Sequence, residues 1–137
     1  MATLSATYDR ATGDNPMPIA THDDIDTFLT RLGALAATGP VPPLAEVVVA
    51  EDPYGPPYLY VGVGIDVGWV REPGEPDRWT IGSPDDTGTV LYDYVGHGED
   101  IPAKHLVPLD TVRAVLIAYL THSGNVPSDD PHLRSAN

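Results

Sequence analysis

The 137-residue sequence has no cysteine. That absence removes disulfide frameworks, thiolate nucleophiles, cysteine-ligated zinc and iron–sulfur clusters together. Basic residues are scarce: seven Lys and Arg stand against twenty Asp and Glu, a formal charge of −13, with a pI near 4.3. A chain of that sign is repelled by DNA, RNA and anionic lipid, so neither nucleic acid nor membrane is expected as a partner, whereas a basic protein is. No run of about 18 apolar residues occurs, so no membrane span is expected. Met1 to Tyr8 carry no basic n-region or apolar h-region, which makes the cytoplasm the expected location. No cofactor is expected either, for reasons given below.

What is present is patterned. Hydrophobic residues make up 42% of the chain and fall in blocks, which is not the composition of a disordered chain. The length suits one domain, burying roughly 65–70% of its unfolded surface without a metal or disulfide staple. Proline and glycine number 15 and 13 and punctuate many short elements.

Residues 3–8 read as a short strand, closed by Asp9 to Asn15. Thr21 reads as a helix N-cap with Asp23 and Asp24 in the first turn, where the helix dipole favours acids. Ile25, Phe28, Leu29, Leu32 and Leu35 follow on a helical period, and Gly39-Pro40 ends that helix. Strands are expected at Leu44 to Ala50, Tyr58 to Ile65, Gly68 to Arg71, Arg78 to Ile81 and Thr89 to Val95, separated by Gly, Pro and Asp turns. A second helix is expected near Pro108-Leu109-Asp110, with Val112, Val115, Leu116, Tyr119 and Leu120 as its apolar stripe and Gly124 at its end. The fold class expected is α+β: residues 1–124 form one domain, a twisted, mostly antiparallel sheet of about five to six strands with two helices on one face. Residues 125–137 are expected to be a flexible tail.

Several motifs invite a catalytic reading. Gly62-x-Gly64 follows a strand, but a dinucleotide fingerprint needs a third glycine opening a helix. Glycines inside an alternating strand instead mark close approach by another element. His97-Gly98-Glu99 opens the zinc-deaminase signature, yet that chemistry requires a downstream Cys-x-x-Cys, which this chain cannot supply. The five histidines (22, 97, 105, 122 and 132) include no helical metal pair, although His97, His105 and a carboxylate remain open as a spatial site. Paired acids such as Asp23/Asp24, Glu51/Asp52 and Asp129/Asp130 read mainly as solvated loop charges, and no G-x-S-x-G elbow occurs.

The distribution of charge is more informative. Residues 51–100 carry 11 acids and two bases, Arg71 and Arg78. The aromatics Tyr54, Tyr58, Tyr60, Trp69, Trp79, Tyr92 and Tyr94 are interleaved with them. Aromatic anchors ringed by charge are a common make-up of protein-binding hot spots.

Read in order, Tyr8-Asp9 with Gly13-Asp14, Asp52-Pro-Tyr-Gly55, Gly62-x-Gly-x-Asp-x-Gly68, Trp79, Tyr92-Asp-Tyr-x-Gly96 and Pro108-Leu-Asp-x-Val-Arg113 resemble the Imm1 immunity-protein family of bacterial polymorphic toxin systems. The resemblance runs over roughly residues 3–124. After Gly124 the sequence departs from it: family members continue into Gly-x-Arg-Pro and a tryptophan-bearing strand, where this chain has Gly124-Asn-Val-Pro127 and no tryptophan. The resemblance implies an α+β inhibitor, not an enzyme, that binds a cognate toxin encoded in a neighbouring reading frame, often a DddA-like nucleic-acid deaminase.

A toxin that grips nucleic acid presents a basic cleft, which an acidic surface can fill. The expected toxin-binding residues are Asp52, Tyr54, Asp66, Trp69, Asp85, Asp86, Asp93, Glu99 and Asp100. Two other readings stay open on the residues alone: a small carboxylate-dependent hydrolase, and an acidic nucleic-acid mimic directed at another basic protein.

Overall fold

In the computed structural model, which describes residues 3–55 and 57–135, the chain alternates short strands with two substantial helices. In order these are β1 (Leu4–Thr7), α1 (Arg10–Asp14), β2 (Met17–Ile19), α2 (His22–Thr38), β3 (Leu44–Val49), β4 (Leu59–Val63) and β5 (Val67–Glu72). Then come β6 (Arg78–Trp79), β7 (Thr89–Tyr94), β8 (His97–Pro102), a 3₁₀ turn (Ala103–His105), β9 (Val107–Pro108), α3 (Leu109–Thr121) and β10 (Arg134–Ser135). One open antiparallel sheet runs β10-β6-β5-β4-β3-β1-β2, with β9 also paired to β5, while β7 and β8 form a separate hairpin. The fold is α+β.

The capping of α2 follows the sequence. Thr21 Oγ1 accepts from Asp24 N at 3.1 Å, and the Asp24 carboxylate accepts from Ala20 N and Thr21 N at 2.8 and 3.2 Å. This reciprocal arrangement satisfies the first orphan donors of the helix. Ile25, Phe28, Leu32 and Ala36 are buried, whereas Leu35 stays 39% exposed. At 100° per residue, Leu35 lies about 80° from Ile25, and Ala36 takes its place on the inner face. The stripe of α3 is buried throughout, from Val112 to Leu120.

Both helices cover one face of the sheet. Leu4, Ala6, Ile19, Ala45, Val47, Leu59, Val61, Val63 and Val70 pack there against Ile25, Phe28, Leu32, Val112, Val115 and Leu116. Gly68 lets α3 approach closely: a Cβ there would reach Gly62 O, with Val112 and Leu109 at 3.2 and 3.3 Å.

The structure corrects several expectations. Asp9 to Asn15 contains a short helix, α1, because Asp9 and Thr12 form a capping box. Residues 17–19 add a strand that the proline-rich sequence obscured, and Pro18 is tolerated because β2 is an edge strand. Residues 97–102, outside the expected strands, form β8, whose outward glycine and acid hide the strand period. The helix expected near Pro108 begins at Leu109, with Pro108 as its N-cap.

The largest correction concerns residues 125–137. Instead of a flexible tail, Val126 and Leu133 are 1% exposed within the core, and β10 pairs with β6. Residues 136 and 137 lie outside the described residues. The chain turns back into this segment through a Schellman ending of α3: Gly124 N donates to Tyr119 O at 2.7 Å and Ser123 N to Leu120 O at 3.2 Å. Gly124 has φ +90, and any side chain there would run into Val49. Arg78 then clips the segment down. Its guanidinium donates to Val126 O and Pro127 O at 2.8 and 2.9 Å and makes a two-pronged ion pair with Glu72 at 2.8 and 3.0 Å.

A packed C-terminal segment has a measurable consequence. Leu133→Ala is expected to lower the unfolding free energy in urea by about 2–5 kcal/mol, as for other fully buried leucines. A change below about 0.5 kcal/mol, the range of exposed positions, would mean that the segment does not pack.

Candidate functional site

The face of the sheet away from the helices is also apolar, and strand parity explains why. Alternation along β4 and β5 sends Tyr60, Gly62, Trp69 and Arg71 to this side. Gly62 lies directly opposite Trp69 in the ladder, and Arg71 directly opposite Trp79. The Trp69 indole occupies the space that a Cβ on Gly62 would need. The sequence expectation that the Gly62/Gly64 pair marks close approach therefore holds, and the approaching element is an indole from the same sheet.

The β7–β8 hairpin lies over this face. Asp93 N donates to Pro42 O at 2.9 Å, which ties the hairpin to the start of β3. Its inner residues, Tyr92 and Ile101, form a second buried cluster with Leu44 and Trp69, and Tyr60, Trp79, Val90, Tyr94 and Leu106 pack around it. The rings meet edge to face or tilted: Trp69–Tyr92 at 5.5 Å, Trp69–Trp79 at 5.7 Å and Tyr60–Tyr94 at 5.8 Å between centroids. Such geometry suits ring quadrupoles. Burial pushes the Tyr60, Tyr92 and Tyr94 phenols up to about 12, so each stays neutral. Tyr94 Oη donates to Glu46 Oε2 at 2.9 Å.

The hairpin does not cover the face completely. Between it and the sheet a cleft of about 200 Å³ remains open, with Leu44, Trp69 and Ile101 as its buried base. Tyr60, Tyr94, Trp79 and Arg71 line its walls, and Glu99 stands at its exposed edge. Asp77 organises one wall: it accepts from Trp79 Nε1 at 2.7 Å and from Arg71 Nε at 3.0 Å, while Arg71 Cζ lies 5.2 Å from the Trp79 ring centroid. The buried Trp69 Nε1–H meets no acceptor in hydrogen-bond geometry among the described residues, and the indole is packed against Trp79 and Tyr92.

His105 anchors the other side of Trp79. Its ring stacks on the indole at 4.1 Å and 13°, and its Nδ1–H donates to Thr80 O at 3.0 Å. Thr80 Oγ1 donates to His105 O at 2.9 Å and accepts from Val70 N at 3.1 Å. Buried in this way, His105 has a structural role and is not poised as a metal ligand beside His97. No group of three His, Asp or Glu among the described residues could hold a metal ion.

With this geometry in place, comparison with known families is decisive: the family model described as immunity protein Imm1 matches residues 13–135. The chain belongs to the Imm1 immunity-protein family. The match extends past Gly124, so the packed C-terminal segment belongs to the family domain even without the tryptophan expected there. No curated protein matches the chain. For an Imm1 protein the implied partner is a cognate toxin, and the implied role is binding rather than turnover.

The structure does not gather the nine expected contact residues into one patch. Asp52 and Tyr54 stand in the β3–β4 loop, where Tyr54 is 96% exposed. Asp66 lies in the β4–β5 turn, and Asp85 and Asp86 lie in the exposed loop before β7. Trp69 is 1% exposed and forms the base of the cleft rather than a surface anchor. On the hairpin, Glu99 pairs with Tyr92 and shares its inner face, whereas Asp100 pairs with Leu91 on the outer face. Asp93 is half-buried and accepts from Gly96 N at 2.9 Å, which shapes the turn. Trp69 and Glu99 therefore converge on the cleft. Sequence reasoning missed Tyr60, Arg71, Trp79 and Tyr94 as its walls. Their alternate spacing, 58/60, 69/71 and 92/94, was the available signal.

His105 makes the site pH-sensitive. Burial holds its pKa below the ordinary 6.5, so the unfolded chain takes up the proton first. Its stabilising contribution is thus complete above about 6.5, and it is lost as pH falls from there to the lower folded-state value. His105→Asn keeps a donor for Thr80 O but cannot titrate. Thermal midpoints at about pH 7.5 and about pH 5.5 are expected to differ less in this variant than in the parent. Equal differences would show that His105 is not held neutral.

Proposed function

We propose that this Imm1 protein neutralises its cognate toxin by binding over the toxin's basic substrate cleft, and that the toxin is a nucleic-acid deaminase encoded in the neighbouring reading frame. The protein acts in the cytoplasm, where such a toxin meets its substrate. The observation that carries the reading is the acidic, aromatic-bearing side of the domain formed by the β6–β7 loop and the β7–β8 hairpin. Asp85, Asp86, Glu99 and Asp100 are all exposed there, close in sequence to the aromatic cluster that holds the hairpin in place.

The chemistry favours this arrangement. A deaminase active on nucleic acid must attract phosphates, so its active-site entrance is positive. A net charge of −13 steers the inhibitor to that entrance, and carboxylates seated there exclude the substrate without any reaction. Rigid aromatics beneath the hairpin keep the acids from collapsing onto the sheet, which lowers the ordering cost of binding.

The test is kinetic. Reversing Asp85, Asp86, Glu99 and Asp100 together to lysine is expected to slow association with the toxin by about tenfold or more at low ionic strength. The same change is expected to flatten the dependence of the on-rate on salt and to abolish protection of cells co-expressing the toxin. An unchanged on-rate at low salt would refute binding through this side. Failure of the parent protein to protect against the neighbouring toxin would refute the immunity reading itself.

A further inference from the structure

The cleft beneath the β7–β8 hairpin has the make-up of a socket for a cation. Its walls are ring surfaces, and aromatic faces attract guanidinium and ammonium groups through their quadrupoles. Arg71 already shows this preference within the chain, with its Cζ 5.2 Å from the centroid of Trp79. The charge of Arg71 is answered by Asp77 at 3.0 Å. Glu99, at the open edge, makes no ion pair among the described residues. Glu46 adds a further carboxylate behind Tyr94, which donates to it at 2.9 Å. The local balance is therefore negative, with one carboxylate free to pair.

Size narrows the occupant. At about 200 Å³ the cleft is smaller than the roughly 300–1,000 Å³ of small-molecule and cofactor pockets. It matches one long side chain entering between rings. Of the two basic side chains, arginine fits better. Its planar guanidinium stacks on aromatic faces, is weakly hydrated, and presents a fork to a carboxylate, whereas a lysine ammonium is a strongly hydrated point charge.

We infer that this cleft receives one arginine side chain from the cognate toxin, with the guanidinium against Tyr60 and Tyr94 and paired to Glu99. The inference rests on the immunity reading above and adds to it a central anchor, of the kind that dominates interface energetics when ringed by exposed charge. It also gives Glu99 a role distinct from that of Asp100: Glu99 faces the cleft, whereas Asp100 faces solvent on the other side of the hairpin.

The chain has two tryptophans, Trp69 and Trp79, and both line the cleft. Intrinsic tryptophan fluorescence therefore reports on this site alone. Titration of the full chain with N-acetyl-L-arginine amide is expected to give a saturable change in emission. N-acetyl-L-citrulline amide has the same shape without the charge and is expected to give little, and Glu99→Gln is expected to weaken the arginine response. A non-saturating response, or an equal one to both compounds, would overturn the inference. Against the toxin itself, Glu99→Lys alone is expected to weaken the complex by about tenfold or more, with Asp100→Lys as the milder control. Because Glu99 is exposed, this substitution leaves the fold intact. If the parent binds the toxin and Glu99→Lys binds equally well, the socket is wrong while the immunity reading stands. If the parent does not bind the toxin, both fall.

Discussion

The indole of Trp69 lies where a side chain at position 62 would be, and the arrangement of the far side of the sheet depends on that contact. A sheet is ordinarily stable with one apolar face covered and one wet. Here the helices α2 and α3 cover one face, and the other carries Leu44, Trp69 and the rings around it. Only glycine at position 62 leaves room for the large indole, which packs with Tyr92 and Ile101 in one buried cluster. The β7–β8 hairpin is thereby drawn onto the sheet, and its charged edge is presented as a rigid surface rather than a loose loop.

From this constraint follows a division of labour among the acids. Some hold structure: Asp24 caps α2, Asp77 orients Trp79 and Arg71, Glu72 pairs with Arg78, and Asp93 shapes the hairpin turn. Others face solvent without partners among the described residues, and these give the protein its external field. A surface pair such as Arg113–Asp26, bonded at 2.7 Å between α3 and α2, is exposed and contributes little to stability. The solvent-facing acids matter for encounter with a partner of opposite charge, not for the fold. Family membership implies that the partner is a cognate toxin.

Much of the framework was legible in the residues. The Thr21 cap, the Val112-to-Leu120 stripe and the alternation of Leu59, Val61 and Val63 each express a local rule, and local rules survive folding. What could not be read depended on long-range partners. Residues 125–135 look like a tail because Val126 and Leu133 are isolated apolar residues among prolines and acids; only the distant Arg78 and the Schellman turn at Ser123-Gly124 bring them inside. β8 was hidden because its outward positions are glycine and aspartate. The site was half legible: Trp69 and Glu99 were singled out, but as surface contacts, because nothing local shows that Trp69 is covered by Tyr92. Asp52 and Tyr54 share their composition with the hairpin acids yet stand on a separate loop.

Under the proposed function, the hairpin side of the sheet, not the helical side, is expected to meet the toxin. Hydrogen–deuterium exchange of the free and toxin-bound protein tests it most directly. New amide protection is expected to concentrate in residues 83–102, across the β6–β7 loop and the β7–β8 hairpin. Protection confined to α2 and the exposed face of α3, with the hairpin exchanging as in the free protein, would contradict it.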